Sequence, residues 1–348
     1  MSSEHIAFTT ALWDQPHTLA QAAVSIRASL DAAQLAPWLP GQTVAIISMG
    51  ASSHSANALV TALTECGVRA VNLTASDLFD APKGFEPGDH YVIVSESGRS
   101  PEPIDVARQL AVGNRIGITN FPGAAISEVI DSAIGLGGFP DSPVYTVGYN
   151  ATLMAYSALL RAVGHSAAAI DEAAVPSMVA DALAGYGQSA GDLALHFAGV
   201  GSVDCVGRGY SYTSAAQSAL VLREALRIPT AAYETFQYLH GPMEAGKAGT
   251  GLVVFGDGRE LPMIASQVAA GVKVLLVTAA DDAALSAIAH ENLKIVRLPD
   301  GVERFSRAIA EIVVVQLFAE AAAAERGLTI EDFLYSQNDT KIKLPVQA

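Results

Sequence analysis

The sequence predicts two tandem α/β domains, each a parallel sheet flanked by helices in a three-layer α/β/α arrangement. Three observations carry this. Short runs rich in Val and Ile alternate with Ala/Leu-rich helical stretches, the pattern of strands buried on both faces. Landmarks recur at a nearly constant offset: Gly50 to Gly209 is 159 residues, Gly98-Arg99 to Gly258-Arg259 is 160, and Thr119 to Thr278 is 159. The length, 348 residues with 51% hydrophobic, suffices for about two cores.

Taken in order, residues 1–40 form an N-terminal helical segment, with Leu19, Ala23, Ile26 and Leu30 near helical spacing ahead of Pro37 and Pro40. The first domain, 41–180, starts with the strand run VAIISMG (44–50), then Ala51-Ser52-Ser53 and a helix. VNL (71–73), YVIVSES (91–97) and RIGITN (115–120) follow as further strands. A bridge over roughly 140–200 is helical by composition. The second domain, 181–327, repeats the plan with VDCVGRG (203–209), GLVVFGDGRE (251–260) and KVLLVT (273–278). A last helix, 304–326, stops at Gly327. The polar tail, 328–348, carries Lys341 and Lys343 and is expected to reach the active site.

Composition removes several function classes. Net charge is −15 and the isoelectric point is near 4.8, which argues against nucleic acid, whose binding needs a basic face. Mean hydropathy is +0.33, too apolar for a disordered chain. No apolar run approaches the ~18–20 residues of a membrane span, and MSSEHIAFTT lacks the basic start and apolar core of a signal peptide. The expected setting is cytoplasmic. Cys66 and Cys205 form no CxxC, so neither a zinc cluster nor a disulfide framework is expected, and buried reduced thiols are.

In an open parallel sheet, ligands bind beyond the carboxyl ends of the strands. Two loops of the first domain fall there. Gly50-Ala51-Ser52-Ser53-His54 offers hydroxyls beside the free N–H groups of a helix start. Ser95-Glu96-Ser97-Gly98-Arg99-Ser100 packs three hydroxyls and a glycine into six residues, just before Pro101. Serines also cap helices everywhere, but two such loops on successive strands read as a phosphate cradle. Fixed dipoles acting at short range can hold an anion in an acidic protein, because net charge is screened over ~8 Å. Neither loop is GxGxxG or GxxxxGK[ST], so no dinucleotide or P-loop site is predicted. In the second domain, Glu224 on a predicted helix and His240 before Gly241-Pro242 are candidates for moving protons at sugar carbons. The plainer alternatives are a solvated partner of Arg223 or Arg227 for Glu224, and a satisfied turn histidine for His240.

With these residues in view, the chain resembles the sugar-isomerase (SIS) domain family from about residue 40 onward. It is most similar to the isomerase part of glucosamine-6-phosphate synthase and to stand-alone proteins with paired SIS domains. The most specific stretch runs from Gly207-Arg208-Gly209 through Leu222-Arg223-Glu224 to Leu239-His240-Gly241-Pro242. The resemblance implies phosphate or sugar binding by Gly50, Ser52, Ser53, Ser95, Ser97 and Ser100, with Thr146 near a further sugar contact. It implies that Glu224 shuttles a proton between C1 and C2 and that His240 opens the sugar ring in a neighbouring subunit's site. Lys341, with Lys343 as competitor, stands where the family has a tail lysine at the sugar carbonyl.

The implied activity is a phosphosugar isomerase or aminosugar-phosphate deaminase acting on a hexose or hexosamine 6-phosphate. It needs no cofactor and no metal, and works as a homodimer with shared sites. The alternatives are a deglycase of phosphorylated sugar–amine adducts and a non-catalytic phosphosugar sensor. The synthase's amidotransferase domain has no counterpart, since residue 2 is Ser and both cysteines are internal. Val221 replaces a lysine of the family helix and Glu96 a glutamine of the phosphate loop. Glu96 is expected to bond a hydroxyl or amine rather than a phosphate. These changes point away from synthesis, toward a relative working on another sugar.

Overall fold

The computed structural model describes residues 5–335, 337 and 339–342. Lys343 lies outside them. Helices α1 (Phe8–Trp13) and α2 (Gln15–Ala32) come first. α2 buries Leu19, Ala22 and Ile26, while Ala23 and Leu30 are half-buried. The first sheet comprises β1 (Thr43–Ser48), β2 (Arg69–Thr74), β3 (His90–Val94), β4 (Arg115–Thr119) and β5 (Ser132–Gly135). Between these strands lie α3 (Gly50–Glu65) and α4 (Pro101–Ala107). The predicted helical bridge is α5 (Val147–Ala162), α6 (Val175–Gly187) and α7 (Ala190–His196).

The second sheet contains β6 (Ser202–Gly207), β7 (Thr230–Glu234), β8 (Thr250–Phe255), β9 (Lys273–Thr278) and β10 (Leu293–Arg297). Its connections hold α8 (Tyr210–Leu226), α9 (Thr235–Leu239), α10 (Glu260–Ala269) and α11 (Asp282–Ser286). α12 (Arg304–Glu325) closes the domain, and Gly327 follows with φ +65°.

The two sheets are built alike. The first runs β2-β1-β3-β4-β5 and the second, read from its other edge, β7-β6-β8-β9-β10. Every pairing in both is parallel. The expected parallel α/β architecture, in two copies, is therefore what forms. β5, β7 and β10 were not evident as apolar runs; all three lie at sheet edges, where one flank faces no neighbouring strand and a continuous apolar run is not required.

Successive strand residues point to opposite faces, and this sorts the core. Val44, Ile46, Val92 and Val94 of the first sheet join Val203, Cys205, Val253 and Phe255 of the second in one inner core with α3, α5, α8 and α12. Ala45, Ile47, Tyr91 and Ile93 face outward onto α4. Val206, Leu252, Val254 and Leu276 face outward onto α10 and Tyr238 of α9. The halves are thus fused through their inner helices. Of the two free thiols, Cys205 is buried in β6; Cys66, expected buried, follows the last residue of α3 and is half-exposed.

Polar ties set the helix register. Ser211 and Ser214 of α8 both donate to the buried Glu311 of α12, at 2.7 and 2.6 Å. Gln15 donates to Gln316 at 2.9 Å and accepts from Asn150 at 2.7 Å, joining α2, α5 and α12. Each such group is buried and would cost about 1–3 kcal/mol unpaired.

Candidate active site

The parallel register aligns Ser48 of β1 with Val94 of β3, so the two loops after these strands emerge side by side. Gly50, with φ +55°, lets the chain turn straight from β1 into α3. Ser52 stands in the first turn of α3, half-buried, and its hydroxyl bonds no other described residue. Ser53, one residue on, is turned to β2: its hydroxyl donates to Asn72 Oδ1 at 3.5 Å, and its backbone oxygen accepts from Asn72 Nδ2 at 2.8 Å.

In the second loop, Ser95 and Ser97 are buried and hold the turn. Ser95 Oγ accepts from the Ser100 amide at 3.4 Å, and Ser97 Oγ from the Arg99 amide at 3.3 Å. Gly98 must be glycine, because at φ +63° a Cβ would stand 2.7 Å from Ala124 Cβ. Ser100 precedes α4, whose first residue is Pro101.

Glu224 comes to these loops through helix pairing. α3 and α8 pack antiparallel. At one end Tyr210 Oη donates to Glu65 Oε2 at 3.2 Å; further along, His54 Nδ1 lies 3.3 Å from Gln217 Oε1. From Gln217, seven more residues along α8 rise ~10 Å and end at Glu224. The same seven residues back along α3 from His54 pass its first residue, Gly50. On this register Glu224 is carried ~4–5 Å past the first residue of α3, toward the end of that helix that follows β1. Burial pushes its carboxyl up to about 7, with Arg223 pulling weakly the other way. Neither sequence-adjacent arginine pairs with it: Arg223 donates to the Thr230 carbonyl and Arg227 to that of Thr329.

Beside the serine loop lies a second ionisable group. Glu96 Oε1 accepts from Asn120 Nδ2 at 2.8 Å. Burial and the Asp141 carboxylate push Glu96 up to about 7, against the Asn120, Lys341 and Tyr145 contacts that favour its charge. The described part of the tail lies against this loop: the Ile342 amide donates to the Arg99 carbonyl at 2.8 Å, and Lys341 Nζ to Ser100 Oγ at 3.1 Å. Burial lowers the Lys341 ammonium, while Glu96 draws it up and Arg99 down.

Thr146 takes a different part. It is fully buried, and its hydroxyl donates to Asp141, which also accepts the amides of Ser142, Thr146 and Gly148. Asp141 thereby satisfies the start of α5. His240 is exposed, just after α9. Since α8 packs in the inner core and Tyr238 of α9 in the outer one, the second sheet separates His240 from Glu224 within one chain. An open cavity of about 440 Å³ flanks the serine loop on the β4 side, lined by Ser97, Arg99, Asn120 and Gly138; of the predicted residues only Ser97 lines it.

No family model matches the sequence, and no curated protein is found similar to it in sequence. Solved structures match in fold. The C-terminal domain of glucosamine-fructose-6-phosphate aminotransferase from Francisella tularensis aligns with a TM-score of 0.76 at 18% identity, covering 94% of this chain and 98% of that one. The fold is that of paired sugar-isomerase (SIS) domains. Tagatose-6-phosphate ketose/aldose isomerase from Escherichia coli aligns at 0.72 and 17% identity over 100% of both chains. Glucosamine-6-phosphate deaminase from Thermotoga maritima aligns at 0.70 and 16%, over 95% of this chain and 98% of that one. Among the described residues, no helix is long and apolar enough to cross a membrane.

Within this SIS fold, three residues at the cluster escaped the sequence reading. Asn120, Asp141 and Tyr145 reach Glu96 from the end of β4 and the approach to α5. Asn120 ends the run RIGITN, directly beyond a predicted strand, and that position was the available signal. Nothing local marks Asp141 or Tyr145.

Proposed function

We propose that the protein is a phosphosugar isomerase-type enzyme acting on a hexose or hexosamine 6-phosphate, with isomerisation or deamination as its reaction. The amide-rich start of α3, Ser52 and the Ser95–Ser100 loop take the phosphate. Glu224 removes the proton from C2 and delivers it to C1, through an enediol-like state. With oxygen on C2 the product is a ketose phosphate. With nitrogen there, it is an imine that water hydrolyses to ketose phosphate and ammonia. Lys341 contacts the carbonyl oxygen that gains charge as the proton leaves. His240, lying across the sheet from its own Glu224, opens the sugar ring in the site of a second copy, so the working unit is a symmetric dimer.

The observation that carries this reading is the α3–α8 register. It supports a carboxyl group poised near neutral pH at the mouth of a hydroxyl-lined strand-end loop pair. General acid–base catalysis is most efficient when the group's pKa lies near working pH. The fold likeness supports the same reaction class.

The test is a panel of hexose and hexosamine 6-phosphates, followed for ketose phosphate and for ammonia. Turnover of one member, lost in Glu224→Gln, is the expected result. Thermal stabilisation by a sugar phosphate without product from any member overturns the enzyme in favour of a sensor.

A further inference from the structure

The internal repeat places a second strand-end crevice in the second domain, and its chemistry differs. Gly209 stands where Gly50 does, and Gly258-Arg259 where Gly98-Arg99 does, at offsets of 159 and 160 residues. Between them opens a cavity of about 570 Å³. Arg208, Arg259, Arg304 and Arg307 line it, four of the chain's 20 Lys and Arg residues in a molecule of net charge −15. The amino ends of two long helices, α8 at Tyr210 and α12 at Arg304, also open onto it. Unpaired N–H groups and the helix dipole favour an anion there.

The three lining carboxylates are already engaged. Glu65 pairs with Arg304 at 3.5 Å and accepts from Tyr210. Asp257 pairs with Arg307 and accepts Thr278 Oγ1 and the Ala279 amide. Glu260 accepts Thr235 Oγ1 and the Gly258 amide. Arg208 stacks over Phe236, 5.3 Å from the ring centroid, and lies 3.8 Å from Glu234, whose Oε2 accepts the first amides of α9. Arg259 is exposed and bonds no other described side chain.

Arg304 has φ +51°, one of two non-glycine residues in the left-handed region among those described.

We infer that this cavity is a second anion site, which takes the phosphoryl group of a small phosphate monoester between Arg208, Arg259 and the amino ends of α8 and α12. Bidentate guanidinium contacts suit a dianionic phosphate. The inference stands apart from the reaction proposed for the first domain, since none of its residues belongs to the Ser52–Glu224 cluster.

Calorimetric titration of the full chain with inorganic phosphate, and then with a hexose 6-phosphate, tests it. The Ser52→Ala/Ser97→Ala protein, impaired at the first cradle, is expected still to bind one phosphate per chain. Adding Arg208→Ala/Arg259→Ala, both exposed positions, should weaken that binding roughly tenfold or more. Binding in the serine variant that is absent, or that ignores the arginine replacements, overturns the second site. Crystals of the unmodified protein soaked in phosphate give a check free of folding effects. Density between Arg208 and Arg259 supports the inference, and an empty cavity at saturating phosphate overturns it. Lack of sugar turnover would overturn only the reaction assigned to the first domain.

Discussion

His54 and Gln217 tie the first domain's α3 to the second domain's α8, with Nδ1 and Oε1 3.3 Å apart across a partly buried interface. Burial lowers the imidazole's pKa, against the hydrogen bond with Gln217 that favours its charged form. The pair fixes an antiparallel register between the two helices. In the proposed reading, that register carries Glu224 toward the strand-end loops of the first domain, so the proposed site is made at a joint between repeats.

Replacing Glu224 by Gln removes the proton carrier and keeps the side chain's shape. Turnover should fall by ~10²–10⁴, while phosphate binding, measured by calorimetry, stays within about twofold of the parent.

The rate should depend on pH through the same residue. Glu224 is raised to about 7, and the base form is the carboxylate. The value of kcat/KM should therefore rise with pH up to about 7 and level off above it. A profile already flat at pH 5 would mean that another group abstracts the proton.

Glu96 gives a stability prediction of opposite pH sense. Its folded pKa, about 7, lies above the ordinary 4.5. The unfolded chain then releases its proton first, so the contribution to stability is whole below about 4.5 and declines as pH rises through about 7. Glu96→Gln has nothing to ionise. Its unfolding free energy, from denaturant titrations, should fall less than the parent's between pH 5 and pH 8, by on the order of 1–3 kcal/mol.

Asp141 serves structure. Replacing it by Ala leaves the hydroxyl of Thr146 and several amides at the start of α5 without an acceptor. Denaturant unfolding should show a loss of about 2–4 kcal/mol, with Asp141→Asn milder.

The separation of Glu224 from His240 by the second sheet predicts complementation. Glu224→Gln and His240→Ala proteins, each inactive alone, should regain part of their activity when subunits are exchanged. Heterodimers with no recovery would show that His240 does not complete a neighbour's site.

Parts of this architecture were legible because their physics is local. Strands buried on both faces must be continuous apolar runs, so VAIIS, YVIV and KVLLVT declared themselves, and with them the repeat. β7, with the sequence TAAYE at an edge, had no such demand on it. Hydroxyl-rich turns beyond those runs marked the candidate loops.

Which hydroxyl faces the loop space was not legible. Ser52 and Ser53 are adjacent, yet successive helix residues differ by about 100° in direction, and the Ser53 hydroxyl is turned aside to Asn72 Oδ1 of β2. Thr146 looked available until Asp141, buried beside it, claimed its hydroxyl.

By itself the sequence determined the two-fold α/β plan, its strand-end loops and the residue types able to hold an anion and move a proton, because burial and turn chemistry act between near neighbours. The tertiary structure alone decided how α8, which carries Glu224, docks against α3, that Lys341 reaches Ser100, that the sheet divides Glu224 from His240, and that four arginines gather in one crevice. Those placements depend on how helices dock across the shared core, and a docking register is a property of packed surfaces that no short window of sequence contains.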